Sequence, residues 1–280
     1  MFNLRKSGAV APIAAVFLCM VMAVAAQAQA QGQRTALVEA LGIPELLEVM
    51  RSEGETYGIQ IGADFLPDGG GTSWGAVVRR LYDPVKMRTS VTQGLEAEIA
   101  PEHLEPLLDF FTSDTGKHIV AQEILAREAF LDGAAEEAAR AAYREAGEAQ
   151  ADRIALLKEY VSLNELVEFN VAGALTANLR FYRGLVEGGA IELSEEEMLA
   201  EVWGQEAEIR ADTEEWLMSY LMMAYAPLSD AEIAEYVLLS STEAGGALNR
   251  ALFAGFDGMY SDLSYALGLA VAMQMKGEDL

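Results

Sequence analysis

The chain has 280 residues, 52% of them hydrophobic and 22% charged, with 44 acidic against 19 basic side chains and a formal net charge of −25. So many apolar residues in periodic order do not indicate a disordered chain, and the acidity makes nucleic acid and anionic membrane surfaces poor candidate partners, because it repels both. The one cysteine, Cys19, sits in the N-terminal apolar run, so the remainder offers no disulfide, thiolate nucleophile, iron–sulfur cluster or cysteine-based zinc site.

Residues 1–30 read as a cleaved signal peptide. Arg5 and Lys6 precede an apolar core from Gly8 to Ala26, and Ala26-Gln27-Ala28 and Ala28-Gln29-Ala30 offer two small-residue cleavage sites. The competing reading, a single-pass anchor, has an apolar run of roughly 19 residues, near the lower limit for a span. The glutamine-rich exit favours cleavage, which removes two basic residues and takes the net charge from −25 to −27. Cys19 follows Phe17-Leu18 inside the core, not at the end of a lipoprotein signal. The mature chain is expected to be periplasmic or secreted, with no integral membrane association.

From residue 31 onward the pattern is helical. Pro44 opens a helix carrying Leu46, Leu47 and Met50 at helical spacing. Asp64-Phe65-Leu66-Pro67-Asp68-Gly69-Gly70-Gly71 is a loop, and Asp83-Pro84 a break followed by a new start. Pro101-Glu102 opens a helix with the stripe Leu104, Leu107, Leu108 and Phe111. An Ala/Glu-rich stretch follows over residues 116–160, with Gly133 and Gly147 as bend points. Ser162…Glu165, Ser194…Glu197 and Ser229…Glu232 match the capping box. No segment alternates at period 2 with β-branched residues, so the fold class is all-α.

The chain also echoes itself. Phe110 to Gly116 is repeated in degenerate form by Leu239 to Gly245, a shift of 129 that sets Leu104, Leu107 and Leu108 on Ile233, Tyr236 and Val237. A shift of 120 sets Glu45-Leu46-Leu47 on Glu165-Leu166-Val167, and one of 122 sets Val77 and Leu81 on Leu199 and Trp203. These blocks predict an internal duplication: two related helical bundles, residues 31–150 and 151–280, connected by a long Ala-rich helix. Leu46, Leu104, Leu107, Leu108, Leu166, Ile233, Tyr236 and Val237 are the predicted core, with Gly116 and Gly245 at helix starts.

Chemistry is sparse. His103 and His118 stand 15 apart without a second histidine at helical spacing, and read as surface residues. Glu195-Glu196-Glu197 is explained by the dipole at a helix start. Asp64…Asp68-Gly69 lacks the ligand spacing of a calcium loop. Thr242-Glu243-Ala244-Gly245 with Gly268-Leu269 and Met273-Gln274 resembles a lytic transglycosylase only in the wrong spacing. Trp74, Trp203 and Trp216 read as core or boundary anchors, and Met218, Met222 and Met223 as core. No catalytic, cofactor-binding or metal-binding residue is assigned, and no cofactor.

The block Phe110-Phe111…Ser113-Asp114-Thr115-Gly116, after the helix opened by Pro101-Glu102, resembles the closing motif of domain of unknown function 2059, where an aromatic pair precedes Ser-Pro-x-Gly and another helix. Asp114 stands in the place of the proline, and Glu243 does so in the second half, where the aromatic pair is lost. The resemblance implies an all-α exported bacterial protein and carries no activity or catalytic residues. The expected function is a non-catalytic binding or envelope-maintenance module with an unknown protein or small-molecule partner; the alternative is a cell-envelope hydrolase using an Asp or Glu general acid.

Overall fold

The structure is a computed structural model and describes residues 27–147 and 150–277. The expected signal segment lies outside the described residues except for its last four positions, which lie in the first described helix; Ala30 is buried there. Among the described residues every regular element is helical. They are α1 (residues 27–40), α2 (Ile43–Phe65), α3 (Gly71–Leu81), α4 (Pro84–Glu98), α5 (Pro101–Phe111), α6 (Asp114–Ala129), α7 (Gly133–Arg144), α8 (Ala151–Leu163), α9 (Leu166–Glu187), α10 (Glu195–Gly204), α11 (Glu206–Ala224), α12 (Asp230–Ser240) and α13 (Glu243–Met275), with a 3-10 turn at Pro67–Gly70. None of these helices is long and apolar enough to cross a membrane.

Local chemistry sets most of the boundaries. Asp83 caps α4 by accepting from the amides of Val85 and Lys86, and Ser194 and Ser229 each close a reciprocal capping box with Glu197 and Glu232. The third expected box is absent. Ser162 lies inside α8, and α9 starts instead from Glu165 in the left-handed region, φ 51°, with no side-chain cap.

The two halves run through the same order of helices, α1–α6 and α8–α13, but they do not close separately. The largest core joins α1–α5 to α13 through Trp74, Val91, Leu104, Leu107, Leu248, Leu267 and Val271. A second core joins Ile119 and Ala126 of α6 to Leu157, Leu221, Ile233 and Val237 of α8, α11 and α12. Each half thus sends its last helix into the core of the other. Helix α13 packs along both α4 and α9. It crosses α4 with the backbones in contact, since a Cβ added to Gly94 would stand 2.4 Å from Gly255 Cα.

Of the eight residues read as shared core, Leu104, Leu107, Ile233 and Val237 are buried, while Leu46, Leu108, Tyr236 and Leu166 are half-buried. Gly116 and Gly245 both lie in the first turn of their helices, capped by Ser113 and Thr242 at 3.0 Å. In both, a Cβ would strike a carbonyl of the preceding helix, Phe110 O at 2.2 Å and Leu239 O at 2.1 Å. The registers of the other two blocks shift. Helices α2 and α9 follow left-handed residues at 42 and 165, a shift of 123 instead of 120. The buried pair Trp74 and Val78 of α3 matches Met198 and Val202 of α10 at 124 instead of 122.

The Ala-rich connector is broken, not one long helix. Phe130–Asp132 separate α6 from α7, and Asp132 caps α7 through the amide of Ala134. Its alanines offer no fully buried residue; α7 meets α11 through Arg140 to Asp212 and Glu215 and Arg144 to Glu215, with Glu136 and Glu137 of α7 itself bracing the two arginines, while Tyr143 packs against the second core.

Candidate functional site

Helix α10 is the part of the fold whose sequence exceeds what its packing uses. Helix α9 ends in a Schellman turn: Gly189, φ 72°, donates to Val186 O and Ala190 donates to Leu185 O, both at 2.9 Å. The chain then extends through Glu192 and Leu193 to the Ser194 cap, and α10 folds back onto α9. Met198 and Val202 point inward, 6% and 2% exposed. Glu196, Leu199, Ala200 and Trp203 follow the spacing i, i+3, i+4, i+7 and form a second stripe that faces solvent, with Trp203 62% exposed. The reading of Trp203 as an anchor is therefore corrected; Trp74 keeps that role, 1% exposed and donating Nε1 to Gly58 O at 2.8 Å. Trp216 stacks on Tyr220 at 5.2 Å with the Arg127 guanidinium over its ring. Of the methionines, Met218 is core and Met223 is exposed.

On the other flank of α10, Tyr182, Leu193, Ala200 and Glu201 line a hollow of about 460 Å³, continuous through Leu193 and Glu197 with one of about 560 Å³ beside Val186 and Ile191. Among the carboxylates here, Glu195 is paired with Arg183 at 2.6 Å. Glu197 is held below the usual carboxylate range by the Ser194 amide and hydroxyl. Glu192, Glu196 and Glu201 carry neither kind of partner.

A further cleft of about 460 Å³ lies between α8, α9 and α11, lined by Lys158, Ser162, Glu165, Glu168, Glu214 and Met218. Arg210 grips Glu168 with two bonds of 2.6 and 3.0 Å and lowers its pKa.

Among the described residues two carboxyls are instead pushed upward, and neither lines these hollows. Burial raises Glu123 of α6 to about 7, against a lowering by the Tyr225 hydroxyl, which donates to Oε1 at 2.5 Å. Tyr220 donates to the Glu123 carbonyl at 2.8 Å, and Tyr160 packs against Tyr236 beside it, the tilted rings 4.9 Å apart. This cluster draws on α6, α8, α11 and α12 and belongs to the second core, where Glu123 is half-buried among the rings. Asp257 of α13 is raised by burial alone.

His118 Nδ1 meets Glu232 Oε1 at 2.8 Å, so it is a bridge between α6 and α12, not an idle surface residue; His103 is half-buried on α5. Asp64 ends α2, and Asp68, φ 50°, sits in the 3-10 turn; no group of three or more His, Cys, Asp or Glu able to hold a metal is found among the described residues.

Residues 85–145, from α4 into α7, match the model of a family described as an uncharacterized protein conserved in bacteria, DUF2059. No curated protein and no solved structure matches the chain. The matched segment holds the Phe110–Gly116 block and stops short of α10.

Proposed function

We propose that the protein, whose residues 85–145 match the model of the bacterial DUF2059 family, is a non-catalytic binding module of the periplasm or exterior, working by holding a partner protein on the outward face of α10. One observation carries this reading: α10 is apolar on two sides, and only the Met198–Val202 side is consumed by packing. An exposed tryptophan beside an exposed leucine marks a contact surface. Export rests on the N-terminal apolar segment and its cleavage sites. The repeated helix order and the matching caps at Ser113 and Thr242 support descent of both halves from one duplicated unit.

The hydrolase alternative needs two carboxylates with separated pKa values in one open cleft. Glu123 and Asp257, the raised groups, stand apart from the hollows, and Glu168, in a cleft, is lowered. The α10 reading is tested by capture from bacterial periplasmic extract with the wild type and with a Leu199→Ser/Trp203→Ser double variant. Loss of captured proteins in the variant is expected; an unchanged set overturns the reading.

A further inference from the structure

We propose that the outward face of α10 receives a cationic amphipathic helical segment of another protein, with apolar side chains against Leu199 and Trp203 and a lysine or arginine against Glu196. The inference rests on the reading of α10 as a docking face and adds the chemistry of its occupant.

The comparison with the equivalent helix of the first half shows that the stripe is not a packing requirement. Helix α3 buries Trp74 and Val78 as α10 buries Met198 and Val202. At the positions matching Leu199 and Trp203 it carries Gly75 and Arg79, so the same inward packing is compatible with a polar outer face. The apolar outer face of α10 is an addition.

The sign of the partner follows from charge. Residues 184–209 hold eight glutamates and neither lysine nor arginine. Glu195 and Glu197 are engaged by Arg183 and by the Ser194 cap, whereas Glu196, on the stripe itself, carries uncompensated charge, and Glu192 and Glu201 add to the negative field from the opposite flank. A neutral or acidic partner covering Leu199 and Trp203 would desolvate Glu196 without pairing it, which is costly. A cationic partner pairs it, and its guanidinium or ammonium groups also suit the exposed indole face. A second copy of this chain, at −25, and an anionic lipid surface are both repelled. The stripe from Glu196 to Trp203 covers two helical turns, matching a partner helix of two to four turns laid across it.

The test uses the purified full chain and a labelled peptide of about four turns, leucine and lysine patterned at helical spacing, read by fluorescence anisotropy. Controls are the same peptide with glutamate for lysine, a lysine-only peptide of equal length, and vesicles of zwitterionic and of anionic phospholipid. Saturable binding of the leucine–lysine peptide is expected, weakened about tenfold or more by Trp203→Ser and about twofold or more by Glu196→Gln, with unchanged circular dichroism because these side chains are exposed. Equal binding by the Trp203→Ser variant, by the lysine-only peptide or by the glutamate peptide overturns the proposal, as does tighter Trp203-dependent binding to vesicles, which would make the face a lipid surface. If extract capture depends on Trp203 while peptide binding does not, the docking face stands and the cationic partner falls. If neither depends on it, the docking reading falls as well.

Discussion

His118 Nδ1 lies 2.8 Å from Glu232 Oε1, tying the first turns of α6 to the capping box that starts α12 in the other half. The imidazole, the Ser229 hydroxyl and the Ser229 amide together hold the Glu232 carboxyl well down, to about 2. A depressed carboxyl contributes stability that is present above its unfolded value and lost as pH falls through its folded one. Carboxyl-detected NMR should find Glu232 titrating near 2, moving toward 4.5 in His118→Gln. A wild-type titration near 4.5 would remove the bridge.

Glu123 runs the opposite way. Its folded pKa is raised to about 7 from 4.5, so its neutral form is favoured in the fold; that stability is full below 4.5 and lost as pH rises through 7. The loss is on the order of 3 kcal/mol at alkaline pH. Glu123→Gln keeps an acceptor for Tyr225 without the charge, and should raise the melting temperature at pH 8 more than at pH 5. An equal effect at both pH values would mean that the carboxyl is solvated.

Gly255 and Gly258 separate two roles within α13. A Cβ at Gly255 would stand 2.8 Å from Val91 O of α4, while one at Gly258 meets nothing within 4 Å. Gly255→Ala should therefore destabilise by about 1–3 kcal/mol through overpacking, and Gly258→Ala stabilise by up to about 1 kcal/mol through helix propensity. Urea unfolding of both variants checks the pair.

Ile233 and Leu238 of α12 differ in the same manner, at 1% and 68% exposed. Ile233→Ala should cost about 2–5 kcal/mol, and Leu238→Ala less than about 0.5 kcal/mol. Similar losses for both would place α12 differently on the second core.

What the sequence makes legible is local. The Asp83, Ser194 and Ser229 caps, the glycine turn after α2 and the all-helical class each depend on residues within a few positions of one another. Ser162 has the right spacing to Glu165, but Leu157 of the same helix is buried in the second core, and α8 continues past the serine. The exchange of α6 and α13 leaves no sequence trace, because an apolar stripe does not say which core it fills. Trp203 was hidden by a related ambiguity. Met198 with Val202, and Leu199 with Trp203, both have helical spacing, and only the three-dimensional register decides which pair turns inward. At the shift of 122 read from the sequence Trp203 falls on Leu81, and only the structural shift of 124 sets it on the exposed Arg79.

The exchange of last helices also governs how the chain acquires its shape. Val91 of α4 cannot be covered until α13 arrives, beginning at residue 243, so a core begun by α1–α5 is completed only by a helix synthesised much later. Such long-range closure slows folding, and it keeps the nascent chain open for as long as α13 is missing. A chain cut short before α13 leaves its own first core gaping and ready for degradation.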